Sequence, residues 1–268
     1  MKTIANSSKT TPYPFRLGTT SYIYPDYILP NVRKLQQLVD DIELVLFEAD
    51  DEANLPGPGE LSELIAIAAA TGLTYSVHLP IDVYLGDFDE TVRRGSLAKA
   101  RRVIQLTESL QPFSYNLHFE KRDPQGVEIK QISTWKHYLR HSCGELCEGL
   151  ANPRTLCVEN LNYPLELVSD ILEEFDLSAI LDLGHLMLYG MDYEVYLNKF
   201  LPRTRVIHLH GVNDGKDHLS LAKSRADDLH RIFSILKEWN YQHVLTLEVF
   251  SKKDLEESLV VLEQLWPH

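Results

Sequence analysis

Arg205-Val-Ile-His208-Leu-His210 is an apolar run that ends on two histidines. Alternate residues of a β-strand share a face, so His208 and His210 point the same way. A polar or ionisable group at the end of a buried strand is costly unless it is paired or bound to a metal. The pattern recurs outward from this stretch. Tyr75-Ser-Val-His78 and Tyr115-Asn-Leu-His118 end in histidine. Leu156-Cys-Val-Glu159 and Leu245-Thr-Leu-Glu248 end in glutamate. Ile180-Leu-Asp182 ends in aspartate, with His185 three residues on.

These runs belong to a regular alternation. Strands are expected at 15–20, 43–48, 74–78, 114–118, 155–159, 179–182, 205–210 and 244–249. Most are nearly continuous apolar runs, as parallel strands covered on both faces require. Helical spacing fills the intervals at 31–40, 60–71, 89–109, 130–150, 164–175, 193–200, 226–239 and 254–265. Gly72 closes one helix and Pro164 opens another, each at a favoured position. Eight β-rich runs, each followed by a helix, predict an α/β fold, a single (β/α)8 TIM barrel over residues 15–268 after a flexible tail at 1–14. In such a barrel all C-terminal strand ends meet at one mouth, where the chemistry sits. Residues spread over the chain would then form one cluster.

Composition narrows the partners. The chain has 268 residues, 26 basic and 39 acidic, for a formal net charge of −13. That argues against broad binding to nucleic acid, which needs a basic face. No apolar run approaches the length of a membrane span, and residues 1–14 are polar, unlike a signal peptide. A cytoplasmic protein is expected. Cys143, Cys147 and Cys157 lack the second pair of ligands that a zinc knuckle needs and read as reduced thiols.

His78, His118, Glu159, Asp182, His185, His208 and Glu248, with Asp217 and His218 in the loop after strand seven, form a ligand set suited to zinc, or to manganese or iron where oxygen dominates. Such a mouth supports hydrolytic or isomerising chemistry. Tyr22, Tyr24, Glu48 and Asn160 stand at strand ends or just after them and are the candidate contacts to a small-molecule substrate.

The order His78, His118, Glu159, Asp182-x-x-His185, His208, Asp217-His218, Glu248 resembles the endonuclease IV-like and xylose isomerase-like barrels from about Phe15 onward. The resemblance implies up to three zinc ions. His78, His118 and Glu159 match a first site. Glu159 bridges to a second with Asp182, His208 and Glu248. His185 with Asp217 and His218 matches a third. Two positions depart from the nuclease branch. Asn213-Asp-Gly-Lys-Asp-His218 replaces an Asp-x-His motif, and His210 replaces a usual Asn. His210 is thus open to three roles: ligand, acid/base group or partner of a ligand.

A narrower resemblance lies in Gly18-Thr-Thr-Ser-Tyr-Ile-Tyr-Pro25, Asn31-Val, Glu43-Leu-Val-Leu-Phe-Glu48, Ser76-Val-His-Leu-Pro80, His208-Leu-His-Gly211 and Asp217-His-Leu-Ser220. These look like the cobamide-remodelling phosphodiesterases, which hydrolyse the nucleotide-loop phosphodiester of a cobamide and leave a cobinamide phosphate. In that reading Glu159, Glu248 and His210 are the catalytic candidates. The alternatives are a sugar isomerase or epimerase with one metal on Glu159, Asp182, His208 and Glu248, an abasic-site nuclease, and a non-catalytic metal or corrinoid binder.

Overall fold

The computed structural model describes residues 13–47, 54–121 and 129–266. Eight parallel strands close into a barrel. They are β1 (Arg16–Thr20), β2 (Asp41–Val45), β3 (Thr74–His78), β4 (Ser114–Leu117), β5 (Leu156–Glu159), β6 (Ser178–Asp182), β7 (Thr204–Leu209) and β10 (Val244–Leu247). β1 closes the ring by pairing with both β2 and β10. The expected fold is the one observed. Residues 1–12 of the expected tail lie outside the described residues, whereas Tyr13 stacks on Phe15 and meets Trp266 edge-on.

The outer layer is α1 (Ile28–Leu35), α2 (Pro58–Thr71), α3 (Glu90–Thr107), α4 (Ile129–Cys147), α5 (Ser169–Glu174), α6 (Leu183–Leu188), α7 (Tyr193–Phe200), α8 (Ala226–Glu238) and α9 (Lys252–Leu265). α8 shows why these segments are helices. Leu229, Ile232, Phe233 and Leu236 recur at helical spacing and are all buried, while Asp227 and Asp228 occupy its first turn. Side chains start the helices where the sequence offers a cap. Asp89, Asp192 and Ser251 accept backbone N–H groups at the starts of α3, α7 and α9.

Several boundaries differ from the sequence reading, three of them for clear physical reasons. α1 begins at Ile28, ahead of Pro30, because proline is tolerated in a first turn. α5 begins at Ser169, since residues 165–167 form a 3₁₀ turn first. β2 begins at Asp41 and ends at Val45, in place of the strand expected over 43–48. Asp41 resembles a turn residue but is fully buried inside the barrel, accepting from Thr74 Oγ1 at 2.5 Å and Ser76 Oγ at 2.9 Å.

Burial lifts the Asp41 carboxyl to about 6, against the two hydroxyl bonds that favour its ionised form. An acid whose folded pKa is raised contributes stability at low pH that is lost as pH rises through the folded value. Asp41→Asn removes that loss. Its stability relative to the parent is expected to rise by on the order of 2–3 kcal/mol between pH 4 and pH 8. Denaturant unfolding of both proteins at the two pH values reads this directly, and a pH-independent difference would contradict it.

Beyond the barrel, β8 (Gly211–Asn213) and β9 (Lys216–Leu219) form an antiparallel hairpin after β7. Asp214 and Gly215 both have positive φ, 50° and 71°, as the tight Asp-Gly turn of a hairpin requires. A loop is expected here from the apolar pattern alone, yet the Asp-Gly pair carries the hairpin signal.

Candidate metal centre

Six of the eight barrel strands deliver a residue at or near their C-terminal end to the mouth. His78 ends β3, Glu159 ends β5 and Asp182 ends β6. His118 and Glu248 follow β4 and β10 directly. His208 lies in β7, His210 follows it, and the β8–β9 hairpin returns His218 to the same place. Asp182 also caps α6: its Oδ1 accepts the His185 N–H at 2.6 Å. That bond starts α6 in the register that turns His185 back toward the strand ends. The Asp182-x-x-His185 spacing is therefore one helix cap presenting two donors.

The donors converge on Glu159. One of its oxygens lies 3.8 Å from His78 Nε2, 3.3 Å from His118 Nε2 and 3.4 Å from His208 Nδ1. The other lies 3.2 Å from His185 Nδ1. His208 Nδ1 also faces Glu248 at 3.1 Å and Asp182 at 3.9 Å. His210 Nε2 faces Asp182 Oδ1 at 3.2 Å. Donor atoms within 4.8 Å of one another form the groups His78/His118/Glu159, Glu159/Asp182/His208/Glu248 and His185/His210/His218, with a fourth of Glu43/His78/Glu248. Glu159 belongs to two of them.

These residues suit divalent metal. Glu159 Oε2, Asp182 Oδ2, Glu248 Oε2, His118 Nε2, His185 Nδ1, His208 Nδ1 and His210 Nε2 are buried and have no hydrogen-bond partner. Buried polar atoms are normally satisfied, so this many turned toward one another is the signature of a cation centre. Electrostatics agree. Burial disfavours charge on His185, yet Asp182 and Glu159 reverse that and lift its pKa to about 10. Burial likewise opposes charge on His208, and Glu248 and Glu43 overcome it. Against their own burial, Glu159 and Glu248 are held well below the usual carboxylate range, by His118 and His208 and by His208 respectively. The site demands positive charge.

Some expectations need correction. Asp217 joins none of the donor groups among the described residues, whereas the next residue, His218, joins the third. His210 takes the vacant role in the third group. It is fully buried; its Nδ1 accepts the His218 N–H at 3.0 Å, and its Nε2 is left facing Asp182. Asn160, expected to touch substrate, is buried and spends its amide on the Asp182 backbone in both directions, at 2.8 and 3.1 Å. It locks β5 to β6. Tyr24 is half-buried, with Lys34 4.7 Å above its ring, while Tyr22 is 59% exposed beside the mouth. Glu48 lies outside the described residues. Sequence reasoning misses Glu43, since it places that residue at the start of a strand, not inside the barrel.

The rim is aromatic. Phe47 meets His78 at 4.6 Å between ring centroids, Phe250 meets His218 at 5.1 Å, and the half-exposed Tyr189 lies 6.1 Å from His185. Among the described residues no helix is long and apolar enough to cross a membrane.

Comparison with known proteins follows the same lines. Residues 32–265 match the model of the xylose isomerase-like TIM barrel family. A D-tagatose 3-epimerase-like protein is similar in structure, with a TM-score of 0.78 at 18% identity, covering 94% of this chain and 97% of its own. The E. coli 3-keto-D-glucoside 4-epimerase YcjR gives 0.72 at 18% identity, covering 94% and 98%. Endonuclease IV of Thermus thermophilus gives 0.65 at 19% identity, covering 93% and 99%. None of the curated proteins matches the chain.

Proposed function

The chain belongs to the xylose isomerase-like TIM barrel family, and from that premise we propose that it is a metal-dependent phosphodiesterase acting on a small molecule, with the nucleotide loop of a cobamide as substrate. The observation that carries the reading is the joining of the donor groups. Four sets of donors meet at the mouth, and Glu159 is common to two. One divalent ion needs only four or so of these groups. Two or three zinc ions, with manganese or iron as substitutes, would occupy them all.

When bound, such ions supply an activated water and a clamp for the attacking and leaving oxygens of a phosphodiester. The chain does the rest. Glu159 holds the histidines of two groups at fixed distances. Glu248, between His208 at 3.1 Å and His218 at 3.8 Å, is placed to orient a water at the mouth. Tyr22 and Tyr189 offer exposed faces to a flat substrate such as a corrin or nucleotide base. The formal charge of −13 weighs against a DNA substrate.

Zinc-loaded protein incubated with adenosylcobalamin is expected to yield a cobinamide phosphate by mass analysis, and a chelator is expected to abolish the product. A second reading rests on one observation. Glu159, Asp182, His208 and Glu248 form a complete four-donor set on their own, enough for a single-metal epimerase with the two glutamates flanking the substrate carbon. No cobamide cleavage, together with epimerisation of a ketohexose, would overturn the phosphodiesterase in favour of that reading.

A further inference from the structure

Glu43 is a carboxylate buried at the centre of the barrel. In β2, Ile42 and Leu44 face the helices, and Asp41 and Glu43 face the interior. Glu43 is 0% exposed, and neither of its oxygens has a hydrogen-bond partner among the described residues. Its nearest cationic or donor group is across the barrel: Oε2 lies 3.0 Å from His208 Nε2. On the opposite edge of the same ring, His208 Nδ1 faces the oxygens of Glu248, Glu159 and Asp182. A buried carboxylate survives only where a donor compensates it. Nε2 stands nearer to Glu43 than to its other polar neighbour, Asn116 Nδ2 at 3.4 Å. A proton held on Nε2 beside that carboxylate leaves the Nδ1 lone pair facing three carboxylates, a set that only a cation can reconcile. We infer that Glu43 is a positioning residue, the carboxylate that fixes the tautomer and plane of His208 so that Nδ1 is the metal-binding atom.

The inference rests on the metal centre proposed above, and the test separates the two. Metal content and affinity are measured for the full chain, its Glu43→Gln variant and its Glu43→Asp variant, by zinc competition with a chromophoric chelator. Thermal midpoints of the metal-free proteins are measured alongside. Glu43→Gln is expected to keep its zinc equivalents and its metal-free midpoint. Its affinity at one equivalent is expected to fall by about 10–100-fold, as loss of a carboxylate behind a ligating histidine does. Glu43→Asp, which keeps the charge, is expected to restore part of that loss and covers the case in which Glu43→Gln does not fold. Unchanged affinity in both variants would overturn the inference while leaving the metal centre intact. Loss of a whole equivalent would also overturn it, by making Glu43 a ligand with His78 and Glu248. A parent protein that binds no metal would overturn both readings.

Discussion

Glu159→Ala is expected to lose metal and activity together. The side chain is buried and stands within 3.2–3.8 Å of four imidazoles, on His78, His118, His185 and His208. No other carboxylate among the described residues reaches both the His78/His118 pair and the Asp182/His208/Glu248 group. Its removal separates the two groups and leaves buried imidazoles without their central anion. Unpairing a buried charge costs on the order of 3–5 kcal/mol. Turnover is expected to fall about a thousandfold or more, the scale on which loss of a preorganised electrostatic group acts. The check is zinc content by elemental analysis beside turnover and the circular dichroism of the folded variant. Full zinc content with full turnover would rule out the bridging role.

Gly184→Ala is expected to dismantle the third donor group without replacing any of its residues. A Cβ at Gly184 would collide with the His210 ring at Cε1, Nε2 and Nδ1. That ring is buried and cannot swing into solvent. Overpacking of this kind costs typically about 1–3 kcal/mol. The ring must shift, and it carries with it the bond from the His218 N–H to His210 Nδ1. His218 sits at φ 51°, a conformation rarely adopted by a non-glycine residue, so it depends on that bond. The variant is expected to lose about one metal equivalent while the groups centred on Glu159 stay filled, and activity is expected to drop by about 10–100-fold. Unaltered metal content would mean that His185, His210 and His218 hold no ion.

The contrast between these two residues shows what the sequence made legible. Glu159 is visible because a charged residue ends an apolar strand, and strand ends in a barrel share a mouth. His78, His118, Asp182, His208 and Glu248 are visible on the same ground. The role of Gly184 depends on a contact with His210, a residue of the following strand unit that no local pattern ties to it. Glu43 is hidden because interior and mouth-facing positions of a strand have the same alternation, and its partner lies across the barrel on β7. That His210 stands with His185 and His218 in the third group, and Asp217 does not, follows from a hairpin that returns His218 to β7, where a loop is expected. Asn160 looks available for a substrate until its two hydrogen bonds to the Asp182 backbone are seen.

Elemental analysis of the purified, zinc-equilibrated protein after removal of loosely bound ions puts the joined donor groups to the test. Two or three equivalents per chain are expected from groups that share Glu159 and extend to His185, His210 and His218. A single equivalent, or none, would contradict the multi-metal centre and with it the phosphodiesterase reading.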